Sequence, residues 1–162
     1  MNRFSQRILL ALFVLSSANA LAAVDLTRDV TLTDAAGGTL AIVTQGTLEV
    51  GGSESETVAR FSNFQPDADG RKVNGEMVRN RYGDGETLIT TYDGLLESET
   101  VDAAGNPVVN TLLIENLRVR RAGEGPAFSG QVSWNGETID AAELPPRALY
   151  VLRRALRFFK YA

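Results

Sequence analysis

The sequence predicts an all-β protein built on an antiparallel sheet, followed by a C-terminal amphipathic α-helix. Between residues 24 and 140, short segments recur in which apolar and polar residues alternate, the pattern of strands with one buried face. Turn-forming residues separate these segments about every eight to twelve residues, which is typical of antiparallel sandwiches, barrels and curved open sheets. No segment of helical period separates the strands, which argues against a parallel α/β sheet.

A hairpin formula that occurs twice organises the predicted sheet. Residues 57–64 and 73–80 form the first copy, and residues 111–117 and 128–135 form the second. The period of roughly 55 residues indicates duplication of a strand-turn-strand unit, with chance similarity between two ordinary hairpins as the alternative. The second copy ends in Asn135-Gly136, a strong signal for a tight hairpin turn.

Residues 1–22 have the three parts of a secretory signal peptide. These parts are a positive start with Arg3 and Arg7, an uncharged apolar stretch over 8–15, and small residues over 16–22. We expect cleavage after Ala22, with Ala20 as the alternative site. An uncleaved anchor would need about 20 apolar residues, which this stretch lacks. The sequence therefore predicts an exported protein, periplasmic or secreted, with no transmembrane span in the mature chain.

Two residue types are missing from the chain, and their absence excludes several chemistries. The sequence has no cysteine, so a disulfide framework and a lipid anchor on an N-terminal cysteine are excluded. It has no histidine either, which excludes His-containing catalytic triads and the usual zinc sites. Residues 23–146 are long enough to form one β domain that buries a core without covalent links. We expect no cofactor.

Charge is distributed unevenly along the chain. All 20 acidic residues lie between Asp25 and Glu143, whereas residues 147–162 carry five basic residues and no acidic one. The acidic body argues against a nucleic-acid-binding domain.

The basic C-terminal segment, residues 147–162, has the helical period. Pro145-Pro146 precede it, where a missing N–H is tolerated. Its apolar side chains fill one arc of a helical projection and its basic side chains fill the opposite arc. The two interpretations are a helix that packs on the sheet and a helix that lies on an anionic membrane or binds a lipid. The residues expected at such a surface are Arg153, Arg154, Arg157, Lys160, Phe158 and Phe159. Packing on the sheet is favoured, because no other segment is available to cover an apolar sheet face.

Three further groups of residues are candidate sites. Arg79, Arg81, Arg118 and Arg120 are candidates for an anion or glycan patch, against a solvated strand face as the simpler interpretation.

Asp67 and Asp69 begin a motif that resembles the opening of a calcium loop, but basic residues follow at once and ordinary turn chemistry explains them better. Glu97 and Glu99 share a strand face at about 7 Å, a spacing compatible with glycosidase chemistry.

From these features we expect an exported, non-catalytic protein that acts as an envelope or secreted binding module. The first alternative is a periplasmic carrier of a lipid or other apolar ligand, with the C-terminal helix as its lid. The second is a small hydrolase that uses carboxylates.

Overall fold

The computed structural model describes residues 23–66, 71–84, 87–121, 126–143, 152–153 and 156–161. These residues form one antiparallel sheet of eight strands. The strands are β1 (Val24–Thr33), β2 (Thr39–Glu49), β3 (Gly52–Phe64), β4 (Lys72–Gly83), β5 (Leu88–Val101), β6 (Pro107–Arg121), β7 (Pro126–Trp134) and β8 (Glu137–Asp140). Their order in the sheet is their order in the chain, so β1 and β8 are its two edges. Of the architectures that the sequence left open, the protein adopts the open sheet.

The sheet has one apolar face, which we call the core face. Leu40 and Ile42 on β2 lie opposite Phe61 and Ala59 on β3, and all four are at most 5% exposed. Directly paired residues project to the same side and successive residues to opposite sides. The strand register therefore assigns every residue either to the core face or to the opposite side, which we call the outer face.

Two bulges keep apolar residues on the core face. The register shifts between Phe61 and Phe64 on β3 and between Glu115 and Arg118 on β6. A bulge inserts one residue and thereby changes which side the next residue faces, so Phe64 joins Phe61 in the core. Asn63 and Asn116 lie at these bulges, both with φ of 48°. The two asparagines occupy equivalent positions in the sequence repeat, whose origin by duplication stays a prediction.

The predicted tight turn at Asn135-Gly136 is confirmed. Both residues have positive φ, 51° and 85°, as a two-residue turn that follows the twist of its strands requires. The Oδ1 of Asn135 accepts a hydrogen bond of 2.8 Å from the backbone N–H of Thr111. The side chain thus ties the β7–β8 turn to β6.

The amphipathic α-helix predicted over 147–162 needs correction. Within this segment the structure describes a 3-10 helix at Arg157–Tyr161, and a separate 3-10 helix, Ala141–Glu143, precedes the segment. Leu152, Arg153 and Leu156 have helical backbone. Residues 144–151, 154–155 and 162 lie outside the described residues. The reason is local packing. Two consecutive side chains, Phe158 and Phe159, both contact the sheet, and a tight 3-10 turn is a common way to end a helical segment.

The C-terminal segment covers part of the core face. The ring centroid of Phe158 lies 4.9 Å from that of Phe61 in an edge-to-face arrangement. Phe159 is 3% exposed, and its ring lies 5.4 Å from Tyr92. Leu152 is fully buried in the same cluster. Leu152, Phe158 and Phe159, in the described part of the segment, therefore belong to the core that covers this face.

Candidate functional site

A groove of about 650 Å³ lies on the outer face, where β1 to β5 come together at one end of the sheet. Ten of its lining residues project from the outer face by the strand register: Asp25, Thr27, Gln45, Thr47, Glu54, Glu56, Asn80, Tyr82, Ile89 and Thr91. The other four, Leu26, Gly46, Ser55 and Arg81, alternate to the core face. We infer that these four contribute the backbone floor of the groove.

The outward residues form two rows that cross the sheet at right angles to the strands. The first row is Asp25, Thr47, Glu54, Tyr82 and Ile89, and it continues to Arg120 on β6. The second row is Thr27, Gln45, Glu56, Asn80 and Thr91, and it continues to Arg118. Residues far apart in the chain become neighbours because each strand pairs directly with the next.

The two rows carry acidic residues on the β1 to β3 side and an arginine each at the β6 end. Asp25, Glu54 and Glu56 place three carboxylates on β1 and β3, whereas Arg118 and Arg120 place two guanidinium groups on β6. Adjacent strands are about 4.8 Å apart, so Glu54 and Arg120, three strands apart, are separated by roughly 14 Å. Among the described residues, none of the three carboxylates has a hydrogen-bond or ion-pair partner.

Tyr82 occupies the middle of the first row. It is 55% exposed, and it lies between Glu54 on β3 and Ile89 on β5. An exposed phenol offers both a flat apolar ring and a hydrogen-bonding hydroxyl. The groove therefore combines an aromatic ring with hydroxyl, amide and carboxylate groups, the functional groups that recognise polar organic ligands.

The four arginines predicted as an anion patch do not come together. Arg79 and Arg81 lie opposite Tyr92 and Thr90 and project from the core face. Arg118 and Arg120 project from the outer face, where they are exposed. The predicted patch is thus divided between the two sides of the sheet. Arg118 and Arg120 continue the two rows of the groove on the outer face, whereas Arg81 lines the groove through its floor.

Arg79 has a structural environment. Its Nη2 donates a hydrogen bond of 3.0 Å to the hydroxyl of Thr57, and its Nη1 donates one of 3.1 Å to the backbone carbonyl of Phe159. Burial lowers the pKa of the Arg79 guanidinium below its ordinary value, partly opposed by Tyr92, and the group keeps its charge at neutral pH. Its Nε is buried without a hydrogen-bond partner in the described part of the protein.

Glu97 and Glu99 are exposed on the outer face, but away from the groove. Glu97 pairs with Asn74 and Thr111, and Glu99 pairs with Lys72 and Val109. Both lie in the second half of β5, whereas the groove uses the first half. The carboxylate-based hydrolase stays a prediction.

The remaining predicted site residues lie on other parts of the chain. Asp67 and Asp69 fall outside the described residues, and the residues that are described contain no group of three or more acidic side chains able to hold a metal ion. Arg153, Arg157 and Lys160 are exposed, and Arg154 is outside the described part. No described helix is long and apolar enough to cross a bilayer. The interaction of 147–162 with a lipid or an anionic membrane stays a prediction.

The groove itself has no signal in the sequence alone. Each of its residues appears in the sequence as the ordinary polar partner in an alternating strand. Only the exposed Tyr82 beside Asn80 could have drawn attention, and neither residue indicates a site without knowledge of the strands beside it. The signal becomes visible when five strands are aligned in register.

Comparisons of the chain with protein-family models, with curated proteins and with solved structures find no match.

Proposed function

We propose that the protein is an exported, non-catalytic binding module that holds a glycan in the groove of its outer face. Export rests on the signal-peptide pattern of residues 1–22. The observation that supports binding is the composition of the groove, where nine of the ten outward side chains carry polar atoms and Ile89 is the exception. A glycan presents many hydroxyl groups on a ring with apolar faces, and the groove matches both properties.

Several side chains of the groove can each make a different contact with a sugar. Glu54 and Glu56 are acceptors for sugar hydroxyl groups, in charge-assisted hydrogen bonds that are stronger than neutral ones. Gln45 and Asn80 can both donate and accept. The ring of Tyr82, exposed between Glu54 and Ile89, is placed to stack on the apolar face of a sugar ring. The acidic lining favours neutral or amino sugars over sugars that carry carboxylate or sulfate groups.

The two alternative functions have less geometric support. An apolar ligand would be expected on the core face, but Leu152, Phe158 and Phe159 fill that position over β3 to β5. A hydrolase based on Glu97 and Glu99 would act at an exposed strand end outside the groove.

Binding can be tested with a panel of soluble oligosaccharides that contains neutral, amino and acidic sugars. We expect at least one neutral or amino oligosaccharide to shift the amide resonances of residues 25–27, 45–47, 54–56 and 80–82 in nuclear magnetic resonance titrations. Tyr82→Ala should weaken that binding about tenfold or more, since an aromatic contact and its hydroxyl group are both lost. Glu54→Gln should weaken it as well.

The matched control is Glu97→Gln with Glu99→Gln, which changes two carboxylates on the same face outside the groove. This variant should bind like the original protein. Shifts confined to the core face, or affinity that is unaffected by both groove variants, would overturn the proposal.

A further inference from the structure

We propose that the free edge of β1 is a docking site for an extended segment of another protein in which apolar residues alternate with lysine or arginine. The segment would add a strand to the sheet beside β1. The inference goes beyond the glycan groove. It shares Asp25, Glu54 and Glu56 with the groove, but it also rests on the edge backbone and on the apolar side chains of β1.

The two edges of the sheet differ in how they are protected. β1 pairs with β2 over its entire length, from Val24 to Thr33, without a register shift. Its other side has no strand partner among the described residues, so a row of backbone N–H and C=O groups faces outward. By contrast, β8 has four residues and leads directly into the 3-10 helix Ala141–Glu143, which packs against β7. Long, regular, open edges are the ones that accept an added strand.

The core-face side of β1 is an unfinished apolar layer. Val24 and Leu26 are each 41% exposed. Val30 and Leu32 are partly buried and pack against the core cluster. Apolar residues at alternate positions of an added strand would lie beside these four side chains and remove more of their surface from water.

The outer-face side of β1 is acidic. Asp25 and Asp29 project there, and Glu54 and Glu56 lie two strands further in on the same face. Since Arg28 projects to the core face, it does not directly neutralise the carboxylates of Asp25 and Asp29 on the outer face. Lysine or arginine at the outward positions of an added strand would therefore meet opposite charge, whereas acidic residues would be repelled.

A second copy of the chain fits the edge less well. The two most extensive same-face antiparallel pairings of β1 with another β1 place Arg28 opposite Arg28 or Asp29 opposite Asp29. Like charges directly across a strand pair are destabilising. The charges that disfavour self-pairing are the ones that favour a basic partner, so the edge is suited to a different polypeptide.

The probe for this site is a short capped peptide in which lysine and valine alternate. We expect it to shift the amide resonances of residues 24–33 and to slow their hydrogen exchange, because new backbone hydrogen bonds protect amides on the open edge. A peptide with glutamate in place of lysine should bind at least about tenfold more weakly. A peptide of the same composition in which the lysines are grouped together should also bind at least about tenfold more weakly.

Variants of β1 test the two faces separately. Asp25→Lys combined with Asp29→Lys should weaken binding of the lysine peptide about tenfold. Leu26→Lys should do so through the core face. The matched control, Glu137→Lys with Asp140→Lys on β8, should leave binding unchanged. Circular dichroism and urea unfolding establish that each variant is folded.

Three results would overturn the inference. The first is a lysine peptide that leaves hydrogen exchange of 24–33 unchanged in the folded protein. The second is equal binding of the glutamate peptide. The third is a dimer in analytical ultracentrifugation that Leu26→Lys dissociates, which would assign the edge to a second copy of the chain.

Discussion

Arg79 on β4 holds both the backbone and the side chain of Phe159, a residue 80 positions later in the chain. Its Nη1 donates a hydrogen bond of 3.1 Å to the Phe159 carbonyl, and its Cζ lies 5.1 Å from the centroid of the Phe159 ring. The same guanidinium donates to the hydroxyl of Thr57. A carbonyl near the end of a helical segment has no partner within that segment. Arg79 supplies one from the sheet, and thereby fixes the C-terminal segment on the core face.

Replacing Arg79 should destabilise the folded protein. Arg79→Met removes two hydrogen bonds and a cation–π contact, and it leaves the buried Thr57 hydroxyl without this donor. We expect the free energy of unfolding to fall by about 2 kcal/mol, measured by urea denaturation. Arg81→Met is the control on the same strand, because Arg81 is exposed, and it should change the free energy by less than about 0.5 kcal/mol. Equal effects of the two substitutions would contradict the structural role of Arg79.

Phe159→Ala should loosen the C-terminal segment. A buried phenylalanine that is truncated to alanine costs about 3 kcal/mol or more, because its contacts are lost and a cavity remains. We also expect stronger fluorescence of an apolar dye that binds exposed core surface. Arg157→Ala, at an exposed position of the same 3-10 helix, is the control and should leave both measurements nearly unchanged. Unaltered stability in Phe159→Ala would mean that the segment does not pack on the sheet.

Gly75→Ala should be much more harmful than an equivalent substitution in an open turn. Gly75 has φ of 113°, and a Cβ at this position would collide with the backbone oxygen of Leu95 on the neighbouring strand. We expect a loss of more than about 2 kcal/mol in the free energy of unfolding, since strain and steric overlap act together. Gly51→Ala is the control, with φ of 101° and nothing within 4 Å of the added Cβ. It should cost about 1 kcal/mol.

Asp34 should make stability depend on acid pH. Partial burial tends to raise the pKa of its carboxyl group, but hydrogen bonds from the backbone N–H groups of Gln65, Ala36, Gly38 and Gly37 outweigh this and lower the pKa below its ordinary value of 3.8. The charged form therefore stabilises the fold at pH values above about 3.8, and this contribution is lost as the pH falls through the lower pKa of the folded state.

Comparison with Asp34→Asn isolates this contribution. The site is largely open to water, so solvent screening limits the expected difference at neutral pH to roughly 1 kcal/mol. Urea unfolding of both proteins between neutral pH and pH about 2.5 should show the difference shrinking toward acid. Asp29→Asn, on the exposed edge strand, should match the original protein within about 0.5 kcal/mol at neutral pH. A difference that grows toward acid would have the wrong sign for a lowered pKa.

Local patterns in the sequence were enough to predict the antiparallel β class, individual strands such as β1, and some of the turns. Alternation at Val24, Leu26, Val30 and Leu32 predicted β1 because the side-chain period of a strand is two residues. Asn135-Gly136 predicted its turn because few other residues adopt positive φ at two successive positions. These features depend on neighbours in the chain, so a single sequence contains them.

The candidate sites depend on contacts that no local pattern specifies. Arg79 and Arg118 are each followed two residues later by a second arginine, yet one faces the core side and the other the outer side, because bulges and strand register determine the side. The order of the strands also brings Asp25 beside Thr47 and Glu54 beside Tyr82. Such pairings join residues distant in the chain, which sequence alternation alone leaves undetermined.

By itself, the sequence determined an antiparallel all-β chain with one apolar face, an acidic body and a basic C-terminal segment. Tertiary structure decided that the sheet is open, that the outer face has a polar groove, and that Phe158 and Phe159 pack in a 3-10 turn. The difference between what the sequence and what the tertiary structure determined has one physical reason. Backbone preferences and side-chain alternation act between neighbouring residues. The open edge of the sheet, the groove and the contact of the C-terminal segment with the sheet arise only when distant strands are paired in register.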